Sequence, residues 1–326
     1  MASASPLLAL PSMAVDLQRI EVALRDAVQT PNPYLTEIAS HLILAGGKRL
    51  RPVLAVAGAC TSGADAGDDV VLGGVSVELV HIGSLYHDDV MDEAEMRRGQ
   101  VSVNVRWGNL KAILAGDFLL ARASEIAASL GTEVAGLLAR TIGRLCEGQI
   151  GELRHTFDAG RTQDSYIESI NGKTASLFAS ACRIGGIVGG LPRPQIDALT
   201  KAGEAYGMAF QIADDVLDLT ATEEQLGKPS GHDLVEGVYT LPVILTLAKG
   251  GAPAEELRDL LGSPIDGAEL DKALSLVRSN GGVPEAITVA RGYANQAAQA
   301  AAALDDTPAT RALAVAGHAL LDSLLA

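Results

Sequence analysis

The chain has 326 residues, 48% of them hydrophobic, which is enough for a sizeable buried core and excludes a disordered chain. Aromatic residues are only 3%, which argues against a sheet-rich fold. The net charge of −15 leaves no basic footprint for a nucleic acid, so an anionic ligand would need local arginines, lysines or metal ions. The N-terminal MASASPLLALPSM has no basic region ahead of its short apolar stretch. Residues 1–14 therefore read as a flexible leader and not a signal peptide. No uncharged apolar run of about 18 residues follows, and a cytoplasmic location is expected. Cys60, Cys146 and Cys182 are odd in number and widely spaced, and read as buried thiols.

Leu17, Ile20, Leu24 and Val28 recur at helical spacing. A second helix, PYLTEIASHLILAGG, stops at Gly46-Gly47, and residues 61–69 form a polar linker. Residues 69–92 read as a largely buried helix whose far end turns abruptly polar. Long helices follow over 107–130 and 132–157, then one or two around Asn171-Gly172 within 163–189. Residues 195–219 form another apolar helix ending in acids, and a loop covers 227–239. The tail, 240–326, is helical with breaks at Gly262-Ser263-Pro264, Asn280-Gly281-Gly282 and Asp306-Thr307-Pro308. No segment shows sustained alternation with β-branched enrichment. The expected fold is all-α: a single domain over 15–326, with a central helix ringed by others.

Two aspartate clusters stand out. Asp88-Asp89-Val90-Met91-Asp92 places Asp88 and Asp92 on one helix face a turn apart. Like charges at that spacing repel, and the helix dipole disfavours anions near a C-terminus. Divalent cations with hard oxygen ligands offset both effects, and Mg2+ also takes phosphate oxygens. Asp214-Asp215-Val216-Leu217-Asp218 repeats the device 126 residues later, which suggests two carboxylate-bearing helices facing one another across a metal-bound diphosphate. Bases lie near by: Lys48, Arg49 and Arg51 in GGKRLRP, Arg97 and Arg98 in EMRRGQ, then Lys173-Thr174 and Lys228. Arginine pairs bidentately with phosphate, and Gly46 and Gly47 can bring backbone N–H groups to it. His81 lies two turns before Asp88. It either donates to a diphosphate or is a satisfied inner histidine.

At these residues the sequence resembles the trans-polyprenyl diphosphate synthase family. GGKRLRP, HDDVMDEAEMRRG, AGDFLL, GKTASL, QIADDVLD and LGKPSGHD occur in family order across residues 40–245. The resemblance implies an isoprenoid synthase-type helical bundle around a central cavity, usually a homodimer, with three Mg2+ ions per active site. It implies that Asp88, Asp92 and Asp214 are the main metal ligands, with Asp218 assisting. Arg97, Lys173, Thr174, Gln211 and Lys228 correspond to contacts with an allylic diphosphate. Lys48, Arg51, His81, Arg98 and the backbone of Gly47 correspond to the isopentenyl diphosphate site. One position departs from the pattern: Val238 stands where a lysine is often found.

The implied reaction is ionisation of the allylic diphosphate, attack by isopentenyl diphosphate and loss of a proton, with Thr174 and Gln211 helping to stabilise the cation. The helix before the first cluster then acts as a ruler. Ser84 lies a turn below Asp88, with Gly83 beside it and Val80 deeper. None of these closes the path as an aromatic would, which points to a long product, C30–C50. Phe118, Ile142 or Cys146 could form another wall. A short-chain farnesyl or geranylgeranyl diphosphate synthase is the alternative on length. A terpene cyclase would replace the second aspartate cluster and need an aromatic-rich cavity. A non-catalytic subunit of a heteromeric synthase would carry degraded clusters. A greasy product also implies transient membrane contact at release.

Overall fold

Glycine and alanine set the helix spacing. The computed structural model describes residues 5–221 and 230–324. The central pair is α4 (Asp68–Met91) and α10 (Arg193–Thr220), joined through α9 (Ser176–Val188), which touches both. Around α4 lie α1 (Met13–Ala27), α3 (Leu50–Cys60) and α6 (Asn109–Ser129). A Cβ on Gly185 of α9 would sit 2.1 Å from the Ala55 carbonyl of α3, and one on Gly203 of α10 would sit 2.7 Å from the Phe178 carbonyl. Backbones this close leave no room for large side chains, which explains a low-aromatic, alanine-rich core.

Local signals set the remaining ends. Asn32 caps α2 (Pro33–Leu44) through bonds from the Tyr34 and Leu35 N–H groups, with Pro33 in the first turn. The Tyr86 hydroxyl of α4 donates to the Ile38 carbonyl at 2.7 Å and ties the two helices together. After α4 comes a hairpin, β1 (Met96–Arg97) with β2 (Gln100–Val101), then α5 (Val103–Trp107), α6 and α7 (Thr132–Leu153). Helix α8 (Gln163–Ile170), capped by Thr162, runs through a π turn (Asn171–Ala175) into α9. The C-terminal half continues through α11 (His232–Val235), α12 (Leu241–Ala248), α13 (Ala252–Leu260), α14 (Gly267–Ser279), α15 (Gly282–Ala301) and α16 (Pro308–Leu324). Helices α15 and α16 cover the far side of α10.

Three expectations need correction. The leader boundary at residue 14 is too late: residues 6–9 form a 3-10 turn, and Leu7, Leu10 and Met13 are buried in the main core. Cys146 is exposed, not buried. The tail has a further break at residues 249–251, where Gly250 and Gly251 both take positive φ. Helix α4 is long and apolar enough to cross a membrane by composition, but its apolar stretch is mostly buried within the bundle, as a core helix requires.

Candidate active site

Helices α4 and α10 deliver their acids to the same place. A cavity of about 870 Å³ is lined by Asp88 and Asp92 from α4, Asp214 and Asp215 from α10, and Arg97, Glu152, Lys173 and Gln211. A smaller cavity of about 410 Å³ adjoins it, lined by Gly47, Lys48, Arg51, His81, Ser84, Arg98 and Thr174. Asp88, Lys173, Gln211 and Asp214 line both, so the two chambers adjoin along these four residues.

The larger chamber is mainly acidic. Burial pushes the Asp88 carboxyl above its ordinary range, against the pull of Lys173 and Arg97. Desolvation at the wall, then Glu236 of α11, pushes Asp92 up to about 6. Burial thus works against the charged form of both groups, and Lys173 and Arg97 offset it only in part. The donor set is all carboxylate oxygen, which suits Mg2+. Among the described residues no three carboxylate, imidazole or thiol groups converge on one point, so phosphate oxygens and water would complete the coordination of any ion held here.

Lys173 owes its position to the π turn. A Cβ on Gly148 of α7 would lie 2.2 Å from the Lys173 nitrogen, and one on Gly172 would lie 2.8 Å from the Arg144 carbonyl. The two glycines let the backbones touch, and the widened turn aims Lys173 and Thr174 inward. Lys173 Nζ donates to Glu152 Oε1 at 2.5 Å. Burial works against the ammonium, but Glu152, Asp88 and Asp92 outweigh it and hold its pKa above the ordinary value. Thr174 donates to Gln211 Oε1 at 2.7 Å.

Asp89, the middle acid of the first cluster, lies fully buried and holds Arg97 through a 2.6 Å bond from Nε to Oδ1. Its Oδ2 has no hydrogen-bond partner. In the second cluster, Asp215 accepts from the Tyr166 hydroxyl at 2.5 Å and from Gln211 Nε2 at 2.8 Å. Burial raises its pKa and these two bonds oppose the rise. Asp218 lines neither chamber, and its Oδ2 accepts from the Asp233 N–H at 3.1 Å.

The smaller chamber is basic on its outer side. Arg98 and Arg49 both take left-handed backbone, φ 53° and 47°. Arg98 donates to the carbonyls of Gly46 and Leu42, and its guanidinium packs so closely on Gly47 that a Cβ there would lie 3.0 Å away. Arg49 is spent on Glu21, Glu78 and the Ile43 carbonyl, which makes it a structural cation. Arg51 stacks 4.5 Å over the Phe178 ring, with its Nε buried and without a partner. Burial brings its pKa down to about 10. Burial and then Arg51, Arg98 and Arg49 hold His81 well below the ordinary imidazole value, so it is neutral.

Among the length-setting residues, Ser84 lines the smaller chamber and donates to the His81 carbonyl at 2.8 Å. Gly83 instead faces α6, where its Cβ would meet the Gly116 carbonyl at 3.1 Å. Val80 is fully buried and lines neither chamber. Lys228 lies outside the described residues. Sequence reasoning passed over Glu152, Glu78, Tyr166 and Glu236. The one available signal was Gln149 and Glu152 sharing a helix face at a three-residue spacing, and both line the larger chamber.

The chain matches the polyprenyl synthetase family over residues 32–277. It is 40% identical over 297 residues to the nonaprenyl diphosphate synthase of Mycobacterium tuberculosis, a match covering 91% of this chain and 89% of that one. It is 39% identical over 238 residues to the geranylgeranyl diphosphate synthase of Methanosarcina mazei, covering 71% and 73%. The fold is similar to a Caulobacter crescentus polyprenyl synthase complexed with calcium and isoprenyl diphosphate, with a TM-score of 0.91, 34% identity and 98% of each chain covered. The chain thus belongs to the polyprenyl synthetase family of trans-prenyltransferases, in which catalysis depends on Mg2+.

Proposed function

We propose that this enzyme adds isopentenyl diphosphate head-to-tail to an allylic diphosphate and repeats the step to a long all-trans product, C30–C50. The carrying observation is the pair of adjoining chambers: one acidic and suited to a metal-bound diphosphate, and one basic and suited to a bare one. In this reading Asp88, Asp92 and Asp214 would hold three Mg2+ ions, with Asp218 assisting. Bound Mg2+ supplies positive charge for the departing diphosphate.

The chain's own residues do the rest. Arg97 and Lys173 hold the allylic diphosphate and balance the charge that builds on it. Lys48, Arg51 and Arg98 bind isopentenyl diphosphate, and the Gly47 backbone borders the same site. Neutral His81 can give that diphosphate one hydrogen bond without adding charge. Holding the two substrates in adjoining chambers makes the condensation effectively intramolecular. Thr174 and Gln211 present oxygens toward the developing allylic cation, and the proton lost from the adduct passes to the released diphosphate.

Product length follows from Ser84, a small residue on the chamber wall just below Asp88. The nonaprenyl relative supports the long reading and the geranylgeranyl relative the short one. The exposed apolar residues Leu110, Ile113 and Leu114 of α6 support a homodimer. A cytoplasmic enzyme that touches a membrane at product release completes the reading.

The test incubates purified protein with Mg2+, isopentenyl diphosphate and each allylic diphosphate from C5 to C20, followed by chromatography. Long polyprenyl diphosphates, lost on chelation, are expected. Products that stop at C15 or C20 would favour the short-chain reading. Cyclised hydrocarbon from allylic diphosphate alone would indicate a cyclase, and no condensation would indicate a subunit needing its partner.

A further inference from the structure

We propose that Tyr166 is a positioning residue that, through Asp215, fixes the polarity of the oxygens facing the reacting cation. Tyr166 stands on α8, is 1% exposed, and belongs to neither metal cluster. From its hydroxyl a single file of hydrogen bonds runs to the chamber wall. Tyr166 donates to Asp215 Oδ2 at 2.5 Å, Gln211 Nε2 donates to Asp215 Oδ1 at 2.8 Å, and Thr174 donates to Gln211 Oε1 at 2.7 Å.

The direction of every bond follows from donor and acceptor counts. Gln211 Nε2 donates to Asp215 Oδ1, so the amide turns its NH2 toward Asp215. That leaves Oε1 as the atom facing Thr174, and Oε1 accepts only, so the one hydroxyl proton of Thr174 is committed to Gln211. Thr174, which lines the smaller chamber, therefore presents lone pairs there and no proton. The buried end of the file thus dictates that the exposed end is an acceptor, the polarity a developing allylic cation needs. Tyr166 pins Oδ2, so that Oδ1 stays aimed at Gln211. Its ring is held in turn by the buried Arg161 guanidinium, 5.5 Å from the ring centroid. This inference rests on the proposed prenyl transfer. The activity of the unaltered enzyme tests that reading separately, because the inference is read only from ratios between variants.

The experiment measures steady-state kinetics of Tyr166→Phe, Thr174→Val and the double variant, with thermal melting as a folding check. Tyr166→Phe keeps the ring and removes one hydrogen bond. A fall in kcat of about tenfold is expected, with KM for both diphosphates and the half-saturating Mg2+ concentration within about twofold. The two substitutions should not be additive: in the Tyr166→Phe background, Thr174→Val should cost several-fold less than in the unaltered enzyme, because the file is already disordered. Additive effects, or a kcat within about twofold of the unaltered enzyme, would overturn the proposal. A shift confined to KM or to Mg2+ dependence would also overturn it, in favour of a role at the diphosphate. If the phenylalanine variant does not fold, Tyr166→Met, which fills the space without a donor, is judged by the same coupling to Thr174.

Discussion

The Lys173 ammonium and the Glu152 carboxylate are paired at 2.5 Å on the wall of the acidic chamber, so the cation that would meet the substrate is already oriented before it arrives. Lys173→Met would leave Glu152 facing Asp88 and Asp92 without its counter-charge. Truncating one member of such a pair carries the cost of the stranded partner, and kcat/KM for the allylic diphosphate should fall by roughly a hundredfold. Initial-rate measurements at varied allylic substrate check this, and a fall of less than about fivefold would place Lys173 outside the substrate's reach.

Val238 lines the acidic chamber beside Thr240 and is half-buried. Val238→Lys adds a cation opposite the carboxylates. A partly solvated charge is worth little, so a drop of about threefold in KM for the allylic diphosphate is expected, with kcat unchanged. A rise in KM would mean that the added side chain blocks the chamber.

Ser84→Phe would fill the small position below Asp88. On the proposed reaction the product distribution should shorten by at least one isoprene unit, read by mass spectrometry. Gly83→Ala serves as a contrast. Gly83 faces α6, so added bulk there should lower stability more than it changes product length.

The glycine seams give a prediction independent of catalysis. Gly185→Ala drives a methyl to 2.1 Å from the Ala55 carbonyl and should cost about 2 kcal/mol through overpacking. Gly143→Ala on α7 meets nothing within 4 Å, and should be neutral or stabilising by about 0.5 kcal/mol through helix propensity. Urea denaturation of the two variants compares them.

Among the groups that shape acid stability, His81 and Asp92 work in opposite directions. His81 is held well below its ordinary 6.5, so below that pH the unfolded chain binds a proton that the folded chain refuses. The stability His81 allows is present above about 6.5 and lost as the pH falls. Asp92, raised from 3.8 to about 6, does the reverse: it favours the folded state at low pH, and that contribution is lost as pH rises through 6. Removing the imidazole with His81→Gln should therefore raise Tm at about pH 5.5 relative to about pH 7.5, compared with the unaltered protein. An unchanged difference would mean that His81 is not held neutral.

Much of the fold was legible because its signals are local. Ends of α2, α4, α9 and α10 fall within a few residues of the Gly46-Gly47 stop, the 61–69 linker and the expected boundaries at 189, 195 and 219. The aspartate clusters were legible because two copies of one improbable device are chemically informative wherever they lie in the chain. The rest depends on tertiary approach. Glu152 reads as one more polar position on an amphipathic helix until Gly148 and Gly172 bring Lys173 against it. Tyr166 reads as a core aromatic until α10 brings Asp215 to its hydroxyl. The short hairpin carrying Arg97 is too brief for any alternation to register, and its place is set by a buried aspartate eight residues earlier.

The junction of the two chambers at Asp88, Lys173, Gln211 and Asp214 bears on repeated synthesis. On the proposed assignment, after each condensation the lengthened product has its headgroup in the basic chamber, while the acidic one holds a spent leaving group. Because the two chambers adjoin along these four residues, the headgroup can change sides by moving past them while the hydrocarbon stays in place. Processivity would then be a property of this junction, and bulkier side chains along it would release intermediates early.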